Sequence, residues 1–172
     1  MPETIAVVDA GRLLRFTFDD LLAYHGPGSP GGVAHAFKVM QRAWPLLDAR
    51  ATPERRAITV RTAFGGPGAR DGFELVTRAV TGDRYVVDPS LARPERGRAM
   101  ERFVFRVACA GAAVTLAVRP GFVADELIDL ARRERRTPAE EERLDELKQA
   151  MAERVMAADA AEVYDATLAA AL

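Results

Sequence analysis

Cysteine is nearly absent from this 172-residue chain: Cys109 is the only one. One thiol excludes an intramolecular disulfide and any zinc cluster built from several cysteines of one copy. Histidine is almost as scarce, with only His25 and His35, so a three-histidine metal site cannot form within one chain. Charge of one sign is lacking too. The formal net charge of −1 leaves no global field to recruit nucleic acid or an anionic membrane. No run approaches the roughly 20 apolar residues of a membrane-spanning helix. Residues Met1 to Asp9 hold Glu3 and Asp9 rather than the apolar stretch of a signal peptide. These absences predict a cytoplasmic protein with neither nucleic acid nor membrane as partner. Neither glycine loop ends in Gly-Lys-Ser/Thr, no dinucleotide fingerprint follows a clear strand, and no Gly-x-Ser-x-Gly elbow occurs.

What is present is core material. An apolar fraction of 49% beside 28% charged residues suits one soluble domain of this length. Thr4 to Val8 reads as a short strand. Thr17-Phe18-Asp19-Asp20 is a helix start of the Thr-x-x-acid type, so Asp19 to Tyr24 reads as a short helix. From Gly32 to Asp48, the residues Val33, Phe37, Met40, Trp44 and Leu47 recur in steps of four and three and make one helical face. His35, Lys38 and Arg42 lie off that stripe; a histidine so placed faces the same cleft as His25 or, more often, solvent. Pro45 should kink or end this helix. Ala57 to Phe64 alternates as a strand. Asp71 to Thr81 reads as a helix with Asp71 as N-cap, Glu74 completing a capping box and Gly82 as the stop.

Tyr85 to Val87 is a further strand. Arg102 to Ala108 and Ala113 to Val118 alternate on either side of Gly111 and read as an antiparallel hairpin. Val123 to Arg136 reads as a helix. Thr137-Pro138-Ala139-Glu140 then starts another, whose Leu144, Leu147, Met151 and Val155 share one face. The alanine-rich tail to Leu172 continues as a short helix or frays. The basic run Arg132 to Arg136, interrupted by Glu134, reads as a solvated helix end. This irregular order predicts an α+β fold, with helices on an antiparallel or mixed sheet and a helical C-terminal extension. The core domain spans 1–120 with the His-Gly loop. The extension spans 121–172 and can belong to the same domain.

The chemistry concentrates in Tyr24-His25-Gly26-Pro27-Gly28-Ser29-Pro30-Gly31-Gly32. Glycine and proline set an unusual backbone path, and the following helix aims its free N–H groups back at the loop. Histidine titrates near neutral pH, so His25 is the candidate catalytic acid or base and a candidate metal ligand. His35, one helical turn beyond the loop, is the second candidate metal ligand. Gly26, Ser29, Gly31 and Gly32 are candidate ligand-binding positions, together with the carboxylates of Asp71 and Glu74. The other use of Ser29 is as a helix cap, and that of the carboxylate pair is the capping box. Cys109 shares a strand face with Phe103, Phe105 and Val107 and reads as a small core residue.

In Tyr24-His25-Gly26 and Pro30-Gly31 the loop resembles the signature of the formylmethanofuran dehydrogenase E-subunit family. That pattern is close to aromatic-His-Gly-His-x-Cys-Pro-Gly before a helix; here Pro27 replaces the second histidine and Ser29 the cysteine. The family's Cys-x-x-Asp helix start, leading to Thr-Gly, is similar to Gly68-Ala69-Arg70-Asp71 and Thr81-Gly82, with Gly68 at the cysteine position. The similarity covers roughly Phe16 to Arg119. It implies an α+β homodimer with a metal or ligand site around the His-Gly loop, serving one-carbon metabolism as an accessory protein beside a redox enzyme. Zinc or another divalent transition metal is the implied cofactor, although Ser29 and Gly68 cannot replace thiolates. Three functions follow as expectations: a small-ligand- or metal-binding accessory protein, an enzyme using His25 as general acid or base on a small metabolite, and an interaction protein using its C-terminal helices.

Overall fold

A computed structural model describes residues 1–170. The chain opens with a two-stranded antiparallel hairpin, β1 (Thr4–Asp9) and β2 (Arg12–Thr17). Thr17 then caps α1 (Phe18–His25): its hydroxyl accepts from the Asp20 N–H, and the Asp20 carboxylate accepts from the Thr17 N–H at 2.7 Å. This reciprocal cap is the one the sequence predicts.

After the glycine loop comes α2 (Pro30–Leu47), the central helix. It packs against α1, against α3 (Pro67–Thr77), against α5 (Pro138–Ala157) and onto a five-stranded sheet. The sheet order is β4 (Tyr85–Val87), β3 (Thr59–Thr62), β5 (Val104–Cys109), β6 (Ala112–Val118), β7 (Tyr164–Ala170). Only the β3–β4 pair is parallel. The α+β class with a mixed sheet is therefore what the chain adopts. The helices α4 (Asp125–Arg132), α5 and α6 (Ala160–Val163) form its C-terminal helical part. Among the described residues, no helix is long and apolar enough to cross a membrane.

Because α2 is covered on nearly every side, its apolar stripe is not its only buried face. His35, expected toward a cleft or solvent, and Lys38, also off that stripe, are fully buried, and Lys38 reaches Glu3 with Nζ 3.3 Å from the carboxylate. Pro45 falls in the last turn of α2, which ends two residues later. The Trp44 indole donates to the Ala6 carbonyl at 2.8 Å and ties α2 to the first hairpin.

Helix α3 starts earlier than the sequence suggests. Pro67 occupies its first turn, where a fixed φ and a missing N–H cost nothing. Asp71 is thus inside the helix rather than its cap. The helix stops at Arg78, which adopts a left-handed φ of 55°. Glu74 belongs to this far end and makes no N-terminal capping box. Its carboxylate accepts from the Val80 and Thr81 N–H groups at 2.8 and 3.0 Å and from the Thr81 hydroxyl. Burial alone would raise the Glu74 pKa; the hydrogen bonds from Thr81 and Val80 and the Arg78 charge outweigh it and hold the group below the ordinary value. Glu74→Ala is expected to lose about 2 kcal/mol, because two backbone donors lose an ionised acceptor. Urea unfolding would show this as a lower midpoint at unchanged slope. A loss under about 0.5 kcal/mol, the range of ordinary surface substitutions, would mean that water replaces the carboxylate.

The C-terminal residues join the same core. Thr137 caps α5 by accepting from the Glu140 N–H at 3.1 Å, and Leu144, Met151 and Val155 are buried. The tail makes only the one-turn α6 before extending as β7 along β6. The sequence suggests a helix or a frayed end there; residues 171 and 172 of that tail lie outside the described residues. The basic run is a solvated helix end: Arg136 donates to the carbonyls of Leu130 and Arg133 at the end of α4, and Arg132 and Arg133 pair with Glu101 and Glu140.

Candidate functional site

His25 is the last residue of α1, and Asp71 lies 46 positions later on α3. Packing of α1 on α3 brings His25 Nδ1 to 2.8 Å from Asp71 Oδ2. A carboxylate oxygen accepts, so Nδ1 donates to Asp71 and Nε2 is the ring nitrogen left on the other side. The His25 side chain is 8% exposed, and Nε2 is buried without a hydrogen-bond partner. Asp71 remains a quarter exposed, with the Arg70 guanidinium 3.6 Å away.

The glycine loop sits against the free edge of the imidazole. Gly26 ends α1 with φ at 90° and donates to the Leu22 carbonyl at 2.7 Å. That left-handed φ suits glycine. A side chain added at Gly28 would touch His25 Nε2 at 4.0 Å. Lys148, from α5, donates to the Gly28 carbonyl at 3.3 Å; no sequence signal marks that lysine. Ser29 precedes α2 but makes no side-chain capping bond, so capping is not the use the fold makes of this serine.

Two close approaches lock the geometry. A Cβ on Gly68 would lie 2.4 Å from the Ser29 carbonyl oxygen, and one on Gly32 3.0 Å from the Ala69 nitrogen. The start of α3 therefore rests directly on the start of α2. Gly31 faces α5, where an added Cβ would meet the Met151 methyl at 2.3 Å and the Lys148 carbonyl oxygen at 3.2 Å.

The remaining candidates lie elsewhere. Among the described residues, no three His, Cys, Asp or Glu side chains gather to hold a metal ion. His35 is buried among aromatics, with Nδ1 2.7 Å from the Tyr164 hydroxyl and its ring 4.7 Å from that of Phe103. Burial pushes its pKa down to about 3 and raises that of Tyr164 well above the usual value. Glu74 serves the turn after α3 and shares no partner with Asp71. Burial also pushes the Cys109 thiol up, the environment of an inert core cysteine. The apolar stripe of α5 is occupied by the chain's own core. Compared with protein-family models and with curated proteins, the chain gives no match.

Proposed function

We propose that this chain is a small-ligand-binding protein whose ligand is held at His25 beneath the glycine loop. The observation that carries the reading is the buried, unpartnered Nε2 of an imidazole already oriented by Asp71. A buried polar atom without a partner costs about 1–3 kcal/mol, and this one, unlike the equally unpartnered His35 Nε2 among its aromatics, lies against the glycine loop. A ligand that displaces the loop at Gly28 supplies the missing partner. The neutral ring accepts from a hydroxyl or ammonium group; the imidazolium donates to an oxyanion, which the adjacent N-terminus of α2 also favours.

The resemblance to the formylmethanofuran dehydrogenase E-subunit family agrees with this placement. The two stretches that resemble its motifs lie side by side: His25 bonds Asp71, and Ser29 touches Gly68, the two positions where that family carries cysteine. A second copy and a redox-enzyme partner in one-carbon metabolism belong to the same proposal. Zinc or another divalent transition metal does not fit these residues. A protein metal site takes three or four ligands. Here the free His25 Nε2 is a single ligand: among the described residues no three His, Cys, Asp or Glu side chains gather, His35 is held by Tyr164, and neither Ser29 nor Gly68 brings a thiolate.

The Asp71-oriented lone pair is also the arrangement of a general base, so the enzyme reading stands on the same atoms. The test is a thermal-shift screen of the full chain against small carboxylates, phosphates and amines. Each hit is repeated on His25→Ala and recovered for analysis. A ligand at a hundred times its Kd adds about 2.7 kcal/mol, a rise of roughly 5–10 °C. The shift is expected in the wild type and not in His25→Ala. Recovery of a chemically altered compound moves the assignment to catalysis. The absence of any hit whose shift depends on His25 removes the site.

A further inference from the structure

A cavity of about 300 Å³ opens at the start of α3 and is bounded by the segment before β5 and by α4. One wall is aromatic. The rings of Phe64 and Phe103 stack with centroids 4.3 Å apart and planes 25° from parallel. The tip of the Phe64 ring packs against Gly66, where an added Cβ would come within 2.3 Å of Cζ. Phe103 is buried and backs onto His35. The wall is therefore held from both sides. Ile128 of α4 adds apolar surface opposite.

The charge lining this cavity has one sign. Arg98, Arg102 and Arg132 line it, and among the described residues no carboxylate does. Two of the three are already engaged outside the cavity. Arg98 is clamped by both oxygens of Asp129, at 2.8 and 3.0 Å, and Arg132 is held by Glu101 at 2.7 Å. Arg102 is exposed and makes no ion pair among the described residues.

We infer that this cavity binds a single flat apolar ring bearing a phosphate or carboxylate, with the ring between Phe64 and Ile128 and the oxyanion on Arg102. The guanidinium fork matches two oxygens of such a group. Phe64, half-buried where Phe103 is fully buried, offers the aromatic contact, offset or edge-on. The volume sits at the lower end of small-molecule pockets, which suits a one-ring ligand and excludes a dinucleotide. Nothing in this inference depends on His25.

The experiment is isothermal titration of the full chain with phenyl phosphate and, separately, with benzoate. Inorganic phosphate and phenol serve as the anion-only and ring-only controls. At least one of the two ring anions is expected to bind saturably, at least tenfold tighter than either control, and which one binds identifies the oxyanion. Arg102→Ala is expected to weaken it at least tenfold while leaving the melting temperature unchanged, because Arg102 is exposed. Phe64→Leu is expected to weaken it several-fold, and His25→Ala not at all. Affinity no better than that of inorganic phosphate, or equal affinity in Arg102→Ala, overturns the inference.

Discussion

Gly68→Ala is expected to destabilise the chain by about 3 kcal/mol and to lower its melting temperature by roughly 6–12 °C. The new methyl group would sit 2.4 Å from the Ser29 carbonyl oxygen and 3.0 Å from its Cβ. The first neighbour is backbone, which cannot rotate away, so α3 must move off α2. Asp71 is one turn further along α3, and the same movement lengthens its 2.8 Å bond to His25. Gly65→Ala is the control, since its nearest neighbour would be Val87 Cγ1 at 3.9 Å, an ordinary contact. Thermal unfolding of both variants, with the His25 ring resonances followed by NMR, checks the pair. Equal melting temperatures would show that α2 and α3 do not need glycine at their crossing.

Acid is expected to destabilise the protein well above the range of its carboxylates, through His35. Its pKa is near 3 in the folded state because burial disfavours the imidazolium, against about 6.5 in the unfolded chain. The unfolded state therefore binds more protons at any pH between these values, and stability rises with pH across the window. The contribution is complete above pH 6.5 and is lost as the pH falls toward 3, at up to about 1.4 kcal/mol per pH unit. From pH 7.5 to 5.0 the expected loss is about 2 kcal/mol. Urea titrations at the two values measure it. The control is His35→Leu with Tyr164→Phe, which removes the buried pair together and leaves neither partner orphaned. If wild type and double variant lose the same stability between pH 7.5 and 5.0, His35 is not the group responsible. Asp9, Asp20 and Asp88 also have lowered values, chiefly from hydrogen bonds to Arg55, Thr17 and Ser90 respectively. Their contributions fade only as the pH falls below the ordinary carboxylate range.

These two predictions separate local from distant information. The caps at Thr17 and Thr137 and the hairpin around Gly111 were legible, because a residue, its neighbours within four positions and a period of two or 3.6 decide them. The start of α3 was not. Asp71 and Glu74 have capping-box spacing, but Pro67 had already begun the helix, and the glutamate found its donors at Val80 and Thr81. The candidate site was half legible. His25, its glycine loop and Asp71 were each marked by residue type, whereas their meeting and the role of Lys148 depend on helices far apart in the chain.

By itself the sequence determined the α+β class, most of the strands, the two capped helices and the loop that carries His25. These follow from short-range patterning that any tertiary arrangement must respect. Only the tertiary structure decided that α2 is enclosed on nearly all sides, which turns His35 and Lys38 from surface residues into buried ones. It also decided that the alanine-rich tail becomes β7. Such a segment has no strong period of its own, and the open edge of β6 supplies the hydrogen-bonding partners that make it a strand. Burial and strand pairing are set by what packs against a segment, and that partner lies up to 129 residues away, as between His35 and Tyr164.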